Sequence, residues 1–146
     1  MPLQFSTSPD LQKMGPTITV KITPSAALLG TLTTPTEIAK YDKSFLAILM
    51  IDTGASCSMI DEGVAKALGL VNHGKDKVLT PSGERECLTY DINLVFIGNG
   101  RTFNNIRVVE SDFKEKQGID GLIGRDILKD SLLVYQGTAN QFTLAF

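Results

Sequence analysis

The sequence predicts a mainly β domain that closes on itself, with one main helix and a short C-terminal helix. Two observations support this fold class. Short stretches of strand character recur along the chain between Gly-, Pro- and Asn-containing turn signals, and convincing helical periodicity occurs only after residue 58 and again near residue 126. A length of 146 residues allows one core and is too short for two sizeable domains, so 1–146 is predicted to be a single domain.

The composition excludes several classes of partner. A formal net charge of −2 gives no electrostatic reason to bind nucleic acid or an anionic membrane. The longest apolar stretch, 45–51, is too short to span a bilayer, and the first residues lack the basic and long apolar regions of a signal peptide. We therefore expect a cytoplasmic protein with no membrane partner.

The cysteine and histidine content does not suggest a metal site. Cys57 and Cys87 form no CxxC pair, and His73 is the single histidine, so the usual ligand set for zinc is missing. Two cysteines also do not make a disulfide framework. We expect neither a metal nor a cofactor.

The first half of the chain is predicted as follows. Residues 1–14 have no clear pattern and are expected to form a flexible arm or a dimer-interface arm. Residues 17–22 are β-branched and alternate, which favours a strand. Residues 24–40 contain two prolines and four threonines and are typical of an irregular excursion or a weak hairpin. The continuous apolar run 45–51 predicts a strand that is buried on both faces.

The main helix is predicted to start near residue 58. Ser58 precedes Asp61 by three residues, which resembles a capping box, and Gly69 provides a stop signal. The apolar residues between them fall on one helical face: Val64, Ala65 and Leu68.

The second half contains turn signals that pair strands into hairpins. The predicted features, in chain order, are a turn at 81–83, a hairpin of 90–97 with 102–109, a charged solvated loop at 111–117, a strand that runs into a short helix at 122–128, and a C-terminal hairpin at 132–146.

The most informative motif follows the apolar run 45–51. Asp52, Thr53 and Gly54 are followed by the small residues Ala55 and Ser56. A carboxylate at the end of an apolar strand is costly to bury unless it is partnered or does chemistry. A glycine there lets the backbone turn and approach a ligand closely. A turn-capping aspartate is the simpler structural interpretation of the same residue.

A second motif, Leu122-Ile123-Gly124-Arg125-Asp126, stands about seventy residues after Asp52. The ordered pair, with a turn between its members, resembles the retropepsins, the single-lobe aspartic proteases of retroviruses and their cellular and bacterial relatives. The resemblance covers roughly 45–135, and the tail 134–146 is similar to that of bacterial members. It implies that the closed β domain is a small barrel-like acid-protease lobe.

The resemblance implies an aspartic endopeptidase. Asp52 would be catalytic, with Thr53 and Gly54 supporting its loop. Because D-T-G occurs once, the mechanism needs a homodimer in which Asp52 meets its own copy and activates a water molecule. The implied partners are a second copy of the chain and a peptide or protein substrate, and no metal or cofactor is implied.

The resemblance also implies other site residues. Substrate would contact the catalytic loop and a flap at the 81–83 turn, for which the candidates are Gly54, Ala55, Ser56, Thr80, Pro81, Ser82 and Gly83. It would also contact apolar walls formed by Val78, Leu79, Leu122 and Ile123. Gly124, Arg125 and Asp126 would be structural. In retroviral relatives the equivalent arginine pairs with an acidic residue after the catalytic loop. Ser56 occupies that position here, so we expect Arg125 to form an ion pair with another partner.

Three alternatives stay open. The first is a catalytically silent retropepsin-fold module for dimerisation or peptide binding. The second is a different β-barrel in which D-T-G is accidental. The third is a thiol hydrolase that uses Cys57 or Cys87 with His73. Against the third, His73 lies in a polar loop with no sign of an orienting carboxylate.

Overall fold

The computed structural model describes residues 4–7, 10–25 and 33–146. In these residues the chain is mainly β, with a closed six-stranded barrel and short helices. This confirms the predicted fold class.

The described residues form ten strands and five short helices. The strands are β1 (Gln4–Thr7), β2 (Thr17–Pro24), β3 (Phe45–Ile51), β4 (Met59–Asp61), β5 (Lys75–Thr80), β6 (Gly83–Phe96), β7 (Thr102–Ser111), β8 (Gly121–Ile123), β9 (Leu132–Gln136) and β10 (Gln141–Ala145). The helices are α1 (Leu11–Met14), α2 (Pro35–Tyr41), α3 (Glu62–Leu68), α4 (Lys114–Gln117) and α5 (Arg125–Leu128), and a 3-10 turn spans Gly137–Ala139.

The barrel is built from six strands in the order β2-β3-β8-β4-β7-β6, and β6 closes it by pairing with β2. The β3–β8 and β4–β7 pairs are parallel, and the other pairs are antiparallel. The first part of β6 extends beyond the barrel and pairs with β5 as a hairpin. Closure leaves the β5–β6 hairpin as a projecting element beside the barrel.

The two ends of the chain form a second sheet in the order β1-β10-β9. Residues 4–7 of the predicted arm pair with β10, and α1 follows with Asp10 as its N-cap and with Leu11 buried. The Asn140 side chain accepts a hydrogen bond from the Leu11 N–H at 2.9 Å. The described parts of 1–14 are therefore regular structure, and a flexible or dimer-interface arm stays a prediction; 1–3 and 8–9 lie outside the described residues.

Alternating side chains fill the barrel core. Ala47, Leu49 and Ile51 of β3 point inward and are buried, whereas Leu46 is 65% exposed and Ile48 is 41% exposed. The prediction that 45–51 is buried on both faces is therefore wrong. A barrel strand has one interior face, and within the described part of the chain the outer face of β3 stays largely uncovered.

The main helix begins later than predicted. Asp61, not Ser58, is the N-cap of α3, because its carboxylate accepts the Gly63 N–H at 2.8 Å. Met59–Asp61 is a strand instead of a first helical turn. Gly69 ends the helix in the left-handed conformation (φ 62°), as predicted, and the three apolar residues predicted on one face are buried.

Two other segments differ from prediction. The part of 24–40 that was expected to be irregular contains α2, which Thr34 and Glu37 cap reciprocally; 26–32 lies outside the described residues. The segment 111–117 is not simply a solvated loop, since Phe113 is 7% exposed and α4 follows it. The remaining predicted turns, hairpins and the short helix after β8 are present.

An ionic cluster across β6 and β7 makes stability depend on pH. Asp91 accepts hydrogen bonds from Arg107 at 2.9 and 3.1 Å, and its second oxygen lies 2.8 Å from the His73 ring. The hydrogen bond from Arg107 is the main cause that lowers the pKa of Asp91. Because the folded-state pKa lies below the unfolded one, the carboxylate stabilises the fold above the unfolded pKa, and this contribution disappears as pH falls through the folded pKa.

The Asp91→Asn variant should therefore lose about 0.5–1 kcal/mol of unfolding free energy at neutral pH. The loss should vanish in acid, where both proteins carry a neutral side chain at this position. Urea unfolding at a series of pH values measures it, with the surface substitution Asp130→Asn as control. A difference that stays constant down to strongly acid pH would contradict the assignment.

Candidate active site

Asp52 leaves the barrel where two parallel strands end together. Ile51 of β3 is paired with Ile123 of β8, and the Asp52 N–H donates to the Ile123 carbonyl at 2.9 Å. The strand pairing thus fixes the backbone of Asp52 while its side chain stays only half-buried. The carboxylate is held at the end of a rigid element and remains accessible.

The loop after Asp52 turns back on the carboxylate itself. The Asp52 Oδ1 accepts a hydrogen bond from the Gly54 N–H at 2.8 Å, and the Asp52 backbone carbonyl accepts one from the Ala55 N–H at 3.2 Å. A Cβ at Gly54 would stand 3.1 Å from that Oδ1, so a side chain there would crowd the carboxylate. This Asx-type turn orients Asp52 and exposes the next two residues.

The start of α5 holds the loop from behind. Arg125 donates from Nη1 to the Thr53 carbonyl at 2.8 Å and from its backbone N–H to the Ala55 carbonyl at 2.9 Å. Among the described residues no carboxylate lies within ion-pair distance of Arg125. The expected ion pair is therefore wrong: the guanidinium fixes the loop through a backbone carbonyl.

A buried hydrogen-bond network joins the two sequence motifs. Asp126 accepts from the Ser58 backbone at 3.0 Å and from its hydroxyl at 2.8 Å, and that hydroxyl accepts the Gly124 N–H at 3.0 Å. A Cβ on Gly124 would lie 2.5 Å from the Cys57 carbonyl carbon. Ser58 is therefore committed to this network, which explains why it does not cap α3.

Two buried carboxylates, Asp61 and Asp120, shape the neighbouring wall, a role that the sequence did not predict for either. Asp61 accepts the backbone N–H groups of Phe113 and Lys114, each at 2.8 Å. Asp120 accepts the Ile48 N–H at 2.8 Å and pairs with the Lys114 ammonium at 3.2 Å. Both acids are fully engaged in holding 113–114 against the barrel, which indicates a structural role.

The catalytic-loop candidates open onto a cleft of about 620 Å³. Three segments enclose it: the loop after β3, the β5–β6 turn and 111–117. The predicted residues that line it are Asp52, Gly54, Ala55, Ser56, Val78, Leu79, Thr80, Pro81, Ser82 and Leu122.

Two substrate-binding candidates do not line the cleft, and neither does Thr53, which was predicted to support the loop. Ile123 is fully buried in the barrel core, so its assignment to substrate binding is wrong. Gly83 lies on the turn with φ +117°, a conformation that glycine adopts readily, but it does not line the cleft. Thr53 is exposed beside the cleft and is not part of its lining.

Sequence reasoning missed a large part of the lining. The additional lining residues are Cys57, Met59, Arg85, Ser111, Asp112, Phe113, Lys116 and Gln117. The signal in 111–117 was an aromatic residue within a charged run, Asp112 to Lys116, which also fits a solvated loop. Only the path of β7 brings this run to the cleft.

One observation favours a thiol hydrolase and another argues against it. His73 does have a carboxylate partner, since its Nε2 lies 2.8 Å from Asp91, contrary to expectation. Both cysteines are free, and burial raises the pKa of the Cys57 thiol, which disfavours the reactive thiolate. The raised pKa argues against Cys57 as a nucleophile.

A single-lobed closed barrel with an Asp-Thr-Gly loop at the base of a cleft defines the class of protein. A family model described as aspartyl protease matches residues 43–127, which is more than half of the chain. The chain belongs to the aspartyl protease family.

Two solved structures share the fold. A retropepsin-like aspartic protease from Rickettsia conorii has a TM-score of 0.58 at 14% identity and covers 100% of this chain and 93% of its own. EIAV protease, solved in complex with an inhibitor, has a TM-score of 0.53 at 20% identity, with 85% and 93% covered. The fold is thus retropepsin-like, as predicted. No curated protein matches the chain.

Two features are absent from the described residues. These residues contain no helix that is long and apolar enough to cross a membrane. They also contain no group of three or more His, Cys, Asp or Glu side chains arranged to hold a metal ion.

Proposed function

We propose that the protein is an aspartic endopeptidase that works as a homodimer with one Asp52 from each chain in a shared site. The observation that carries the proposal is the position of Asp52. It lies at the cleft, oriented by its own loop and partnered by no cation among the described residues. The other cleft carboxylate, Asp112, is paired with Lys116 at 3.0 Å.

The chemistry follows from two carboxylates at hydrogen-bond distance. They share one proton, because both cannot ionise easily so close together; aspartic proteases are the standard example of this behaviour. The ionised Asp52 takes a proton from water as the water attacks the scissile carbonyl. The protonated Asp52 of the second chain donates to the carbonyl oxygen, and a proton then passes to the leaving amine.

The remaining loop residues support this role. Thr53 presents its exposed side chain beside Asp52, where it can reach the second chain, and Gly54 leaves room for an extended peptide. The β5–β6 turn projects over the cleft and acts as the flap, which excludes water when substrate is bound. Pro81 stiffens this turn.

The terminal sheet supplies a surface for dimerisation. In β9 the apolar residues Leu132, Val134 and Tyr135 are 64%, 39% and 54% exposed, and β1 and β9 are unpaired edges of the described sheet. Exposed apolar edge strands favour pairing with another chain. A second copy would cover them.

Peptide-library cleavage tests the proposal. The purified protein should cut unstructured peptides, which mass spectrometry of the products detects, and activity per chain should fall on dilution as dimers dissociate. Activity per chain that is independent of concentration down to the detection limit would contradict the dimer. Tight peptide binding without cleavage would favour a silent peptide-binding module.

A further inference from the structure

We propose that Arg85, next to the Lys116–Asp112 ion pair, forms a cationic subsite that selects substrates with an acidic side chain a few residues away from the bond that is cut. This inference rests on the proposed function, since it takes a peptide to be the occupant of the cleft. It concerns residues that neither sequence motif contains.

The cleft has two chemically different parts. Its floor near the catalytic loop is apolar, because Ala55, Met59, Phe113 and Leu122 pack together there. Another part of its lining is charged and contains Arg85, Asp112 and Lys116. An extended peptide that follows the cleft would meet both parts with different residues.

Arg85 lies on the inner face of the β5–β6 hairpin. It is paired directly across from Val78, so both side chains project from the same face, and both line the cleft. The hairpin cations that do not line the cleft are paired: Lys77 with Glu84 and Lys75 with Glu86, each at 3.9 Å. Within the described residues Arg85 has no carboxylate at ion-pair distance, so its guanidinium is available.

The charge balance at this end of the cleft is positive. Asp112 is neutralised by Lys116 at 3.0 Å, and this hydrogen bond is the main cause that lowers the pKa of Asp112. The positive charge of Arg85 also helps to lower this pKa, but among the described residues no carboxylate lies within ion-pair distance of the guanidinium, so positive charge exceeds negative charge among Arg85, Asp112 and Lys116. A smaller depression of about 150 Å³ behind Arg85 holds Glu62, Glu86 and Glu110, none of them at ion-pair distance from it.

A guanidinium can bind a carboxylate through two parallel hydrogen bonds, which gives direction as well as charge recognition. Because Arg85 is part of the hairpin, it would move towards the peptide as the hairpin closes. The site is open to solvent, so the expected preference is modest, about threefold to fivefold in affinity.

Binding to the inactive Asp52→Asn protein measures this preference without turnover. The probes are short fluorescein-labelled peptides with two apolar residues at the centre, alanine elsewhere, and one Glu or Gln placed at successive outer positions. At one position, fluorescence anisotropy should show an affinity for the Glu peptide that is about threefold to fivefold higher than for the matching Gln peptide. The preference should shrink as salt rises.

Charge reversal identifies the residue responsible. Asp52→Asn/Arg85→Glu should prefer the Gln peptide, whereas the matched control Asp52→Asn/Lys77→Glu should keep the original preference, because Lys77 does not line the cleft. Equal affinity for the Glu and Gln peptides at all positions, or the same loss in both double variants, would overturn the inference. Either result would indicate that Arg85 interacts with the glutamates behind it and not with the peptide.

Cleavage of the same peptides by the wild-type protein separates this inference from the proposed function. Cleavage without a Glu preference would overturn only the cationic subsite. A Glu preference in binding without any cleavage would overturn only the protease.

Discussion

The Asp52→Asn variant is expected to lose peptide hydrolysis by about a thousandfold or more while it keeps its fold. Asparagine preserves the shape of the side chain and can still accept the Gly54 N–H, so the turn after β3 persists. It can neither take a proton from water nor hold the proton that the dyad shares. The rate of peptide cleavage and the thermal transition of the folded protein measure the two halves of this expectation.

Asp130→Asn is the matched control, because it makes the same chemical change at an exposed residue that pairs only with Lys129 on the surface. It should retain full activity. Equal cleavage by wild-type protein and Asp52→Asn would mean that another group performs the chemistry, and the assignment of Asp52 would be wrong.

The second large effect concerns stability. Gly124→Ala should lower the free energy of unfolding by about 3 kcal/mol or more, because the new Cβ would lie 2.5 Å from the carbonyl carbon and 2.6 Å from the oxygen of Cys57. Both are backbone atoms that cannot rotate away. A chain of this size should then melt roughly 10 °C lower. Calorimetry at a fixed protein concentration measures the shift.

Gly137→Ala provides the comparison, because its added Cβ would meet only the Tyr135 ring, at an ordinary contact distance of 3.4 Å. It should change the melting temperature little. If Gly124→Ala is as stable as Gly137→Ala, then the G-R-D turn is not packed against residues 57–58, and the network from Ser58 to Asp126 is incorrectly assigned.

Local patterns predicted much of the fold. The hairpins of β6 with β7 and of β9 with β10 follow from alternating residues around Gly- and Asn-containing turns. The helix end at Gly69 follows from the one residue type that adopts a left-handed conformation at little cost.

The predictions failed where the local sequence is compatible with two different structures. Ser58 and Asp61 are both good helix caps, and the choice between them depends on the pairing of β4 with β7 and β8, which brings Ser58 to Asp126. Likewise an apolar run such as β3 can be buried on one face or two, and only the layout of its neighbours decides.

The candidate site, like the fold, could be predicted from the sequence only in part. The loop around Asp52 could be predicted because its turn is made by adjacent residues. The opposite wall could not, since Phe113 and Lys116 reach the cleft through the path of β7 and through backbone hydrogen bonds to Asp61. The partner of Arg125 could not be predicted either, because the backbone carbonyl of any residue can accept a hydrogen bond from a guanidinium.

Mixing wild-type chains with Asp52→Asn chains tests the central claim most directly. At a fixed total concentration that favours dimers, and after subunits have exchanged, each active site should need Asp52 from both chains. Activity should then follow the square of the wild-type fraction, so that an equal mixture shows about a quarter of the activity of wild-type protein alone. A linear dependence, with about half of the activity remaining in the equal mixture, would show that one chain is sufficient and would contradict the shared dyad.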